Sequence, residues 1–473
     1  MVFNSIPFLT FFIVFFILYW IINKLPFHYR NLFTLLSSYF FYGWWDWRFL
    51  GLIIISSLSD YVFGLQIERT GNKLLKKIYL ILSIVINLGI LGFFKYFNFF
   101  LDSLDHLLNL VHLSVGKSTL NIILPVGISF YTFQTLSYTI DIYRDKMKPT
   151  KDIISFFTFV AFFPQLVAGP IERARRLLHQ FQEKKVFNYS DAVTGLRWIL
   201  WGLFKKIVIA DNVGLLADHF FSTDISPARW LTITGSILFG IQIYCDFSGY
   251  SDIAVGVAKI LGYDLIKNFK TPYFSGSFTE LWHRWHISLS TWFRDYVYIP
   301  LGGNQKSPVR VNLNVFITFL LSGLWHGAKI TFLIWGMIHG LLLIIEKRIK
   351  FKLNAKITII FVFLITSLLW IPFRAGDFDH FLRLSGSLLN SSGSFHETLA
   401  HFMVAHSTTK LWILLITFLL FVLIEYRIGL EDFNEWIRIK KVYFRYIIYY
   451  WLILSILLLG NFDIKPYFIY FQF

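Results

Sequence analysis

Residues Val311–Ile345 read VNLNVFITFLLSGLWHGAKITFLIWGMIHGLLLII. Two apolar runs, Val311–Trp325 and Ile330–Ile345, flank the short segment His326-Gly327-Ala328. That pattern predicts two membrane helices joined by a turn or constriction, with an imidazole at bilayer depth. Ionisable side chains are costly there and are functional candidates by default. Ser322, Gly323 and Gly327 are small, so another backbone or a ligand can approach closely. An imidazole kept from water stays neutral, the form a general base needs. His339, in WGMIHGLLL on the returning helix, instead fits a histidine hydrogen-bonded across helices for packing.

Runs of this kind recur along the chain. Of 473 residues 56% are hydrophobic and only 15% are charged, against about 25% charged in soluble proteins. The fold class is therefore all-α, a polytopic integral membrane protein. The runs do not alternate apolar and polar residues, which excludes a β-barrel. The ~20-residue criterion gives about twelve transmembrane or partly spanning helices: Ile6–Ile22, Asn31–Trp45, Phe49–Gln66, Ile78–Phe97, Leu120–Ile142, Ala192–Leu216, Leu231–Val257, Val311–Trp325, Ile330–Ile345, Ile357–Pro372, Leu411–Glu425 and Tyr446–Leu459. Ile6–Ile22 lacks a basic flank and a small-residue cleavage site, and reads as a retained helix. Neither an internal repeat nor a soluble domain is apparent, so residues 1–473 read as one membrane domain.

The net charge of +16 follows first from the positive-inside bias. Basic clusters lie at Arg69–Lys77, Arg144–Lys151, Arg173–Lys185, Lys267–Arg310, Lys347–Lys356 and Arg438–Arg445, while Leu101–Thr119, Ala217–Arg229 and Ala375–Thr409 carry few. With the clusters in the cytoplasm of a bacterial inner membrane, both termini face outward. Parity then requires Ile153–Pro170, which contains Pro164, Gly169 and Pro170, to be re-entrant or interfacial. The single cysteine, Cys245, forms no internal disulfide and reads as a small buried hydrophobe. No basic soluble domain suits nucleic acid.

Upstream of the hairpin, Ser277–Pro300 reads SFTELWHRWHISLSTWFRDYVYIP. Ser277 and Glu280 form a capping-box pattern, and Pro300 with Gly302 and Gly303 marks an end. On a helical projection Phe278, Leu281, Trp282, Trp285, Leu289, Trp292, Phe293, Tyr296 and Ile299 share a face about 120° wide. His286 lies at its border, and His283 roughly 60° further toward the polar side. Such a helix lies in the membrane interface, aromatic face inward. For His283 alone an interfacial role without chemistry is the simpler reading; for His286 its neighbours favour function. A metal site is not expected, because no acidic or cysteine ligand accompanies these histidines at a recognised spacing.

FTELWHRWHISLSTWFRDYVYIPLGGN and SGLWHGA resemble the signature of the membrane-bound O-acyltransferase family, in particular its bacterial branch, which modifies alginate and teichoic acid. SFYTFQTLSYTIDIYR at Ser129–Arg144, FFPQLVAGPIER at Phe162–Arg173, DFSGYSDIAVG at Asp246–Gly256 and FIYFQF at Phe468–Phe473 are similar to that branch as well, so the resemblance covers essentially the whole chain. It implies a ring of tilted helices around a thin centre, and a tunnel for the acyl donor. It also implies catalytic roles for His326 and His286. Acyl transfer from a thioester to a hydroxyl needs a base and donors for the developing oxyanion. His326 suits the first; His286, Arg284 or the Trp285 N–H suit the second, with His283 a contributor. No Ser–His–acid triad is evident, so direct transfer is expected.

The implied donor is acetyl-coenzyme A, bound as substrate rather than as a permanent cofactor. Its phosphates suit the basic stretch Lys267–Arg310, although positive-inside bias explains the same charge. The implied acceptor is an exported polysaccharide, or a periplasmic acetyltransferase partner of the SGNH type that completes the transfer. Two other functions stay open. A transporter or flippase for a lipid-linked sugar would use the histidines as a proton relay. It should show acidic residues within spans, for which Asp60, Asp141, Asp246 and Asp252 are the candidates. A scaffold bundle would not need His326.

Overall fold

The computed structural model describes residues 1–109, 120–222, 227–349, 354–389, 398, 401–402, 407–462 and 469. The FIYFQF motif lies outside the described residues apart from Ile469. So do parts of the Leu101–Thr119, Ala217–Arg229 and Ala375–Thr409 connections and of the Lys347–Lys356 cluster. The described secondary structure is helical, and the chain forms two compact units, Met1–Ala192 with Val257–Ile266, and Val193–Gly256 with Lys267–Phe473.

The first unit contains α1 (Ile6–Ile22), α2 (Phe27–Asp46), α3 (Leu50–Arg69), α4 (Lys73–Leu91), α5 (Phe97–Asn109), α6 (Ile128–Tyr143), α7 (Ile153–Ala161), α8 (Phe163–Leu166), α9 (Ala174–Gln182) and the start of α10 (Tyr189–Leu203). Its helices turn apolar side chains outward, as Ile13, Ile17 and Ile21 on α1 do, and polar ones inward. Lipid solvates the first kind and cannot satisfy the second, so the buried polar groups bond to one another. On α3, buried Asp60 accepts hydrogen bonds from Ser83 Oγ (2.5 Å) and Asn87 Nδ2 (2.8 Å) on α4. Arg30 on α2 donates to the carbonyls of Phe181 and Glu183, tying down the end of α9. Ile153–Pro170 folds as the short helices α7 and α8 and is not among the stretches able to cross a membrane. Val160–Pro170 is wholly buried, which suits irregular backbone inside protein.

The second unit holds most of α10, α11 (Asp211–Phe220), most of α12 (Arg229–Ile260), α13 (Phe278–Arg284), α14 (Ile287–Phe293), α15 (Pro308–His326), α16 (Ile330–Arg348), α17 (Ala355–Leu368), α18 (Ile371–Arg374), α19 (Phe378–Ser387), α20 (Thr408–Ile428), α21 (Phe433–Arg438) and α22 (Val442–Leu459). Glycine sets its closest contacts. A Cβ at Gly249 of α12 would stand 2.7 Å from the Gly202 carbonyl of α10, and one at Gly323 of α15 would stand 2.3 Å from the Phe332 carbonyl of α16. The backbones touch there without intervening side chains.

Among the described residues eight stretches are long and apolar enough to cross a membrane, and Ile6–Ile22 is a shorter apolar helix. The expected count of about twelve is not recovered. Phe27–Arg69 counts as one stretch, although a 3₁₀ turn at Trp47–Phe49 divides it into α2 and α3. Of Leu120–Ile142 only the part from Ile128 is helical, and α6 is buried on nearly every side. The Ala192–Leu216 stretch forms helix, but a π-turn within it carries the buried lysines Lys205 and Lys206.

Those lysines are neutralised. Lys205 pairs with Asp252 at 2.5 Å, and Lys206 with Asp246 at 2.8 Å and Asp211 at 2.7 Å. Removing one member of a buried ion pair leaves its partner uncompensated, at a cost of about 3–5 kcal/mol. Lys206→Met should therefore lower the melting temperature sharply in detergent, and the additional changes Asp246→Asn and Asp211→Asn should recover part of the loss. A single variant as stable as the parent would contradict this account.

Candidate active site

The stretch expected as one interfacial helix is broken. α13 ends at Arg284 and α14 starts at Ile287, with His286 between them in the left-handed conformation (φ 42°, ψ 54°). A non-glycine residue there costs about 1–2 kcal/mol, so the surroundings must hold it. Neighbouring backbone does so. Ile287 N–H donates to the Asn268 carbonyl (2.9 Å), Ser288 N–H to Asn268 Oδ1 (3.2 Å), and Lys270 N–H to the Arg284 carbonyl (3.0 Å). The bend turns His286 inward. It is 0% exposed, not at an interfacial border, and its ring meets Phe247 edge-on at 4.6 Å. Burial pushes the His286 imidazole down to about 3, so it is neutral at ordinary pH.

His326 is the last residue of α15, after which Gly327 is extended and the chain turns into α16. Its ring lies among Trp325 (5.1 Å), Trp335 (5.1 Å) and Phe373 (5.3 Å), with 4% of the residue exposed. The His286 and His326 ring centroids lie 6.4 Å apart with the planes tilted by 48°, and Trp325 lies 5.9 Å from His286. Two imidazoles from separate elements thus converge in an aromatic enclosure. Gly327 serves packing rather than an open passage, since a Cβ there would meet the Phe332 ring at 2.2 Å.

The remaining sequence candidates divide. Trp285 is buried and packs on Phe269 (5.2 Å) and Trp370 (5.1 Å), forming part of the enclosure's wall. Arg284 is ion-paired with Glu280, which makes it a brace of α13. His283 is exposed and lines a cavity of about 370 Å³ together with Trp282, Ile287, Arg294, Ser322 and Lys347. Ile287 adjoins His286, and Ser322 lies one turn before His326. His339 is buried between Trp335 (4.7 Å) and Trp282 (5.0 Å). Its Nδ1 has no hydrogen-bond partner among the described residues, so ring packing holds it rather than the expected bond across helices. Among the described residues no three His, Cys, Asp or Glu side chains gather as a metal site.

Sequence reasoning missed Asn268, which pins the bend, and Phe247, Trp335 and Phe373, which shape the enclosure. Phe247 sits in the DFSGYSDIAVG motif; the other three carried no signal beyond being polar or aromatic.

Two enclosed imidazoles, whose near neighbours in the chain Ile287 and Ser322 line a cavity within a bundle of apolar helices, equip a membrane protein for proton transfer. Residues 40–359 match the membrane-bound O-acyltransferase family, and the chain belongs to that family. It is 39% identical over 401 residues to the probable alginate O-acetylase AlgI of Pseudomonas putida, covering 82% of this chain and 80% of that one. It is 34% identical to a peptidoglycan O-acetyltransferase of Helicobacter pylori, covering 77% and 74%. With a teichoic acid D-alanyltransferase of Bacillus subtilis it shares 31% identity over 47% of this chain and 59% of the other. The protein is a multi-pass membrane O-acyltransferase.

Two outcomes follow from the geometry. General acid–base groups contribute about 10²–10⁴-fold, so His326→Ala should reduce acyl transfer by that factor with membrane insertion and melting temperature little changed. His339→Ala should mainly lower the melting temperature; a clean loss of rate in that variant alone would reassign the base. For stability, the folded state keeps His286 neutral while the unfolded chain protonates it near 6.5. The unfolded state then binds more protons between about 3 and 6.5, so stability is full above 6.5 and is lost as pH falls through that window. His286→Gln should flatten the acid side of the melting-temperature profile, and an unchanged slope would show that His286 does not titrate on unfolding.

Proposed function

We propose that this enzyme moves an acetyl group from cytosolic acetyl-coenzyme A to a hydroxyl of an exported polysaccharide, or to a periplasmic partner that acetylates the polymer. The observation that carries the reading is the convergence of His286 and His326, whose near neighbours in the chain Ile287 and Ser322 line the 370 Å³ cavity. The relatives named for O-acetylation of alginate and of peptidoglycan support acetyl and polysaccharide as the substrate classes.

His326 takes the proton of the acceptor hydroxyl as its oxygen attacks the thioester carbonyl carbon. His286, neutral and held by Phe247, offers a ring N–H to the developing oxyanion. The C–S bond then breaks, and His326 returns the proton to the departing thiolate. No covalent enzyme intermediate is required. The cavity suits the arm of the donor, its volume lying within the roughly 300–1,000 Å³ of small-molecule clefts. His283, Arg294 and Lys347 are exposed along it, and Lys347 makes no ion pair among the described residues, so an anionic donor finds positive charge there. The basic clusters support a mouth on the cytoplasmic side of a bacterial inner membrane, with both termini outside.

Sidedness tests the route. Vesicles containing the protein in one orientation would receive labelled acetyl-coenzyme A on either side. Turnover should occur only with donor on the side where a cysteine at Asn304 is labelled, and Ser322→Trp should block it while leaving the protein monodisperse. Equal turnover with donor on the opposite side would refute the route.

A further inference from the structure

A second concavity, of about 390 Å³, lies between α10 and α22 in the second unit, apart from the histidines. Two arginines line it. Arg197 donates through Nε to Tyr449 Oη (2.8 Å) and through Nη1 to Asn434 Oδ1 (3.0 Å), both neutral acceptors. The Arg445 guanidinium makes no hydrogen bond or ion pair among the described residues. Neither guanidinium therefore has a carboxylate partner among those residues. Charge at a membrane helix end calls for a counter-charge or water.

The start of α22 adds an independent demand of the same sign. Val442, its first residue, borders the groove, and the capping residue is Lys441. No side chain caps the first turn, which contains no acid. Its free N–H groups and the positive end of its dipole favour an anion. The rest of the groove is apolar. Leu196 on α10 and Ile453, two turns beyond Arg445 on α22, are 58% and 43% exposed. The ligand that matches both ends has an anionic head and a hydrocarbon tail.

We infer that this groove binds one anionic glycerophospholipid, its phosphate between Arg197 and Arg445 and an acyl chain along Leu196 and Ile453. The phosphate bridges the two cations, offsets one unit of their positive charge, and clamps the start of α22 to α10. Tyr446, which also lines the groove, can donate its hydroxyl to a second headgroup oxygen.

The test uses the full chain, purified and delipidated. Native mass spectrometry would count bound phosphatidylglycerol against phosphatidylcholine, with the melting temperature followed in parallel and again with inorganic phosphate. The parent should retain one phosphatidylglycerol and prefer it at least tenfold. Arg445→Gln should lose most of that preference and Arg445→Lys should keep part of it. Lys77→Gln, a cation removed from α4, should behave as the parent. A photo-crosslinker at Leu196 should capture lipid. Equal binding of the two lipids by the parent, or undiminished preference in Arg445→Gln, would overturn the assignment. Equal protection by inorganic phosphate would reassign the site to a free anion, and capture of a polypeptide at Leu196 would reassign it to a partner helix; either result also overturns it.

Discussion

The hold of Asn268 on the bend after α13 is the constraint on which the candidate site depends. Its carbonyl and side-chain oxygen accept the two N–H groups that follow His286, so the chain turns inward where its own residue preferences would continue a helix. Unbent, the segment would leave His286 at a helix border in the interface, away from His326. The left-handed residue costs about 1–2 kcal/mol, and strain of this size persists where neighbouring structure over-determines it. Here the strained residue is His286, whose ring lies 6.4 Å from that of His326.

The intramembrane charges separate an enzyme from a transporter. A proton relay needs carboxylates that exchange partners or meet water. Asp246 and Asp252 instead lie in ion pairs with Lys206 and Lys205, and Asp60 is held by Ser83 and Asn87. These groups bind helices together. The enclosed histidines remain the candidates for the chemistry.

Much of this was legible in the sequence, and the limits have physical causes. The hairpin around His326 was readable because two apolar runs, each close to bilayer length, admit few alternatives. That Ile153–Pro170 forms short helices rather than one long one was foreseeable from Pro164 and Pro170. The span count was not legible, because hydropathy does not distinguish a helix enclosed by protein, such as α6, from one facing lipid. The break at His286 was invisible as well. Ser277–Pro300 has a capping box, an unbroken amphipathic pattern and no proline or glycine before Pro300, so every local signal favours one helix. The break comes from Asn268, 18 residues upstream of His286, through contacts that no periodicity reports.

The two histidines are set by unrelated devices. His286 hangs on hydrogen bonds from an extended segment. His326 rides on a helix whose register is fixed where Gly323 meets the backbone of α16. Neither can drift toward the other without breaking hydrogen bonds or separating packed backbones. Their separation is thus a property of the folded unit rather than of side-chain rotamers, and the rings of Phe247, Trp325, Trp335 and Phe373 fill the space around them. Groups held this way need little reorganisation when charge develops. The same rings exclude water, which matters for a reactive acyl donor. Loosely held, solvated imidazoles would activate water as readily as an acceptor hydroxyl, a side reaction that enclosure limits.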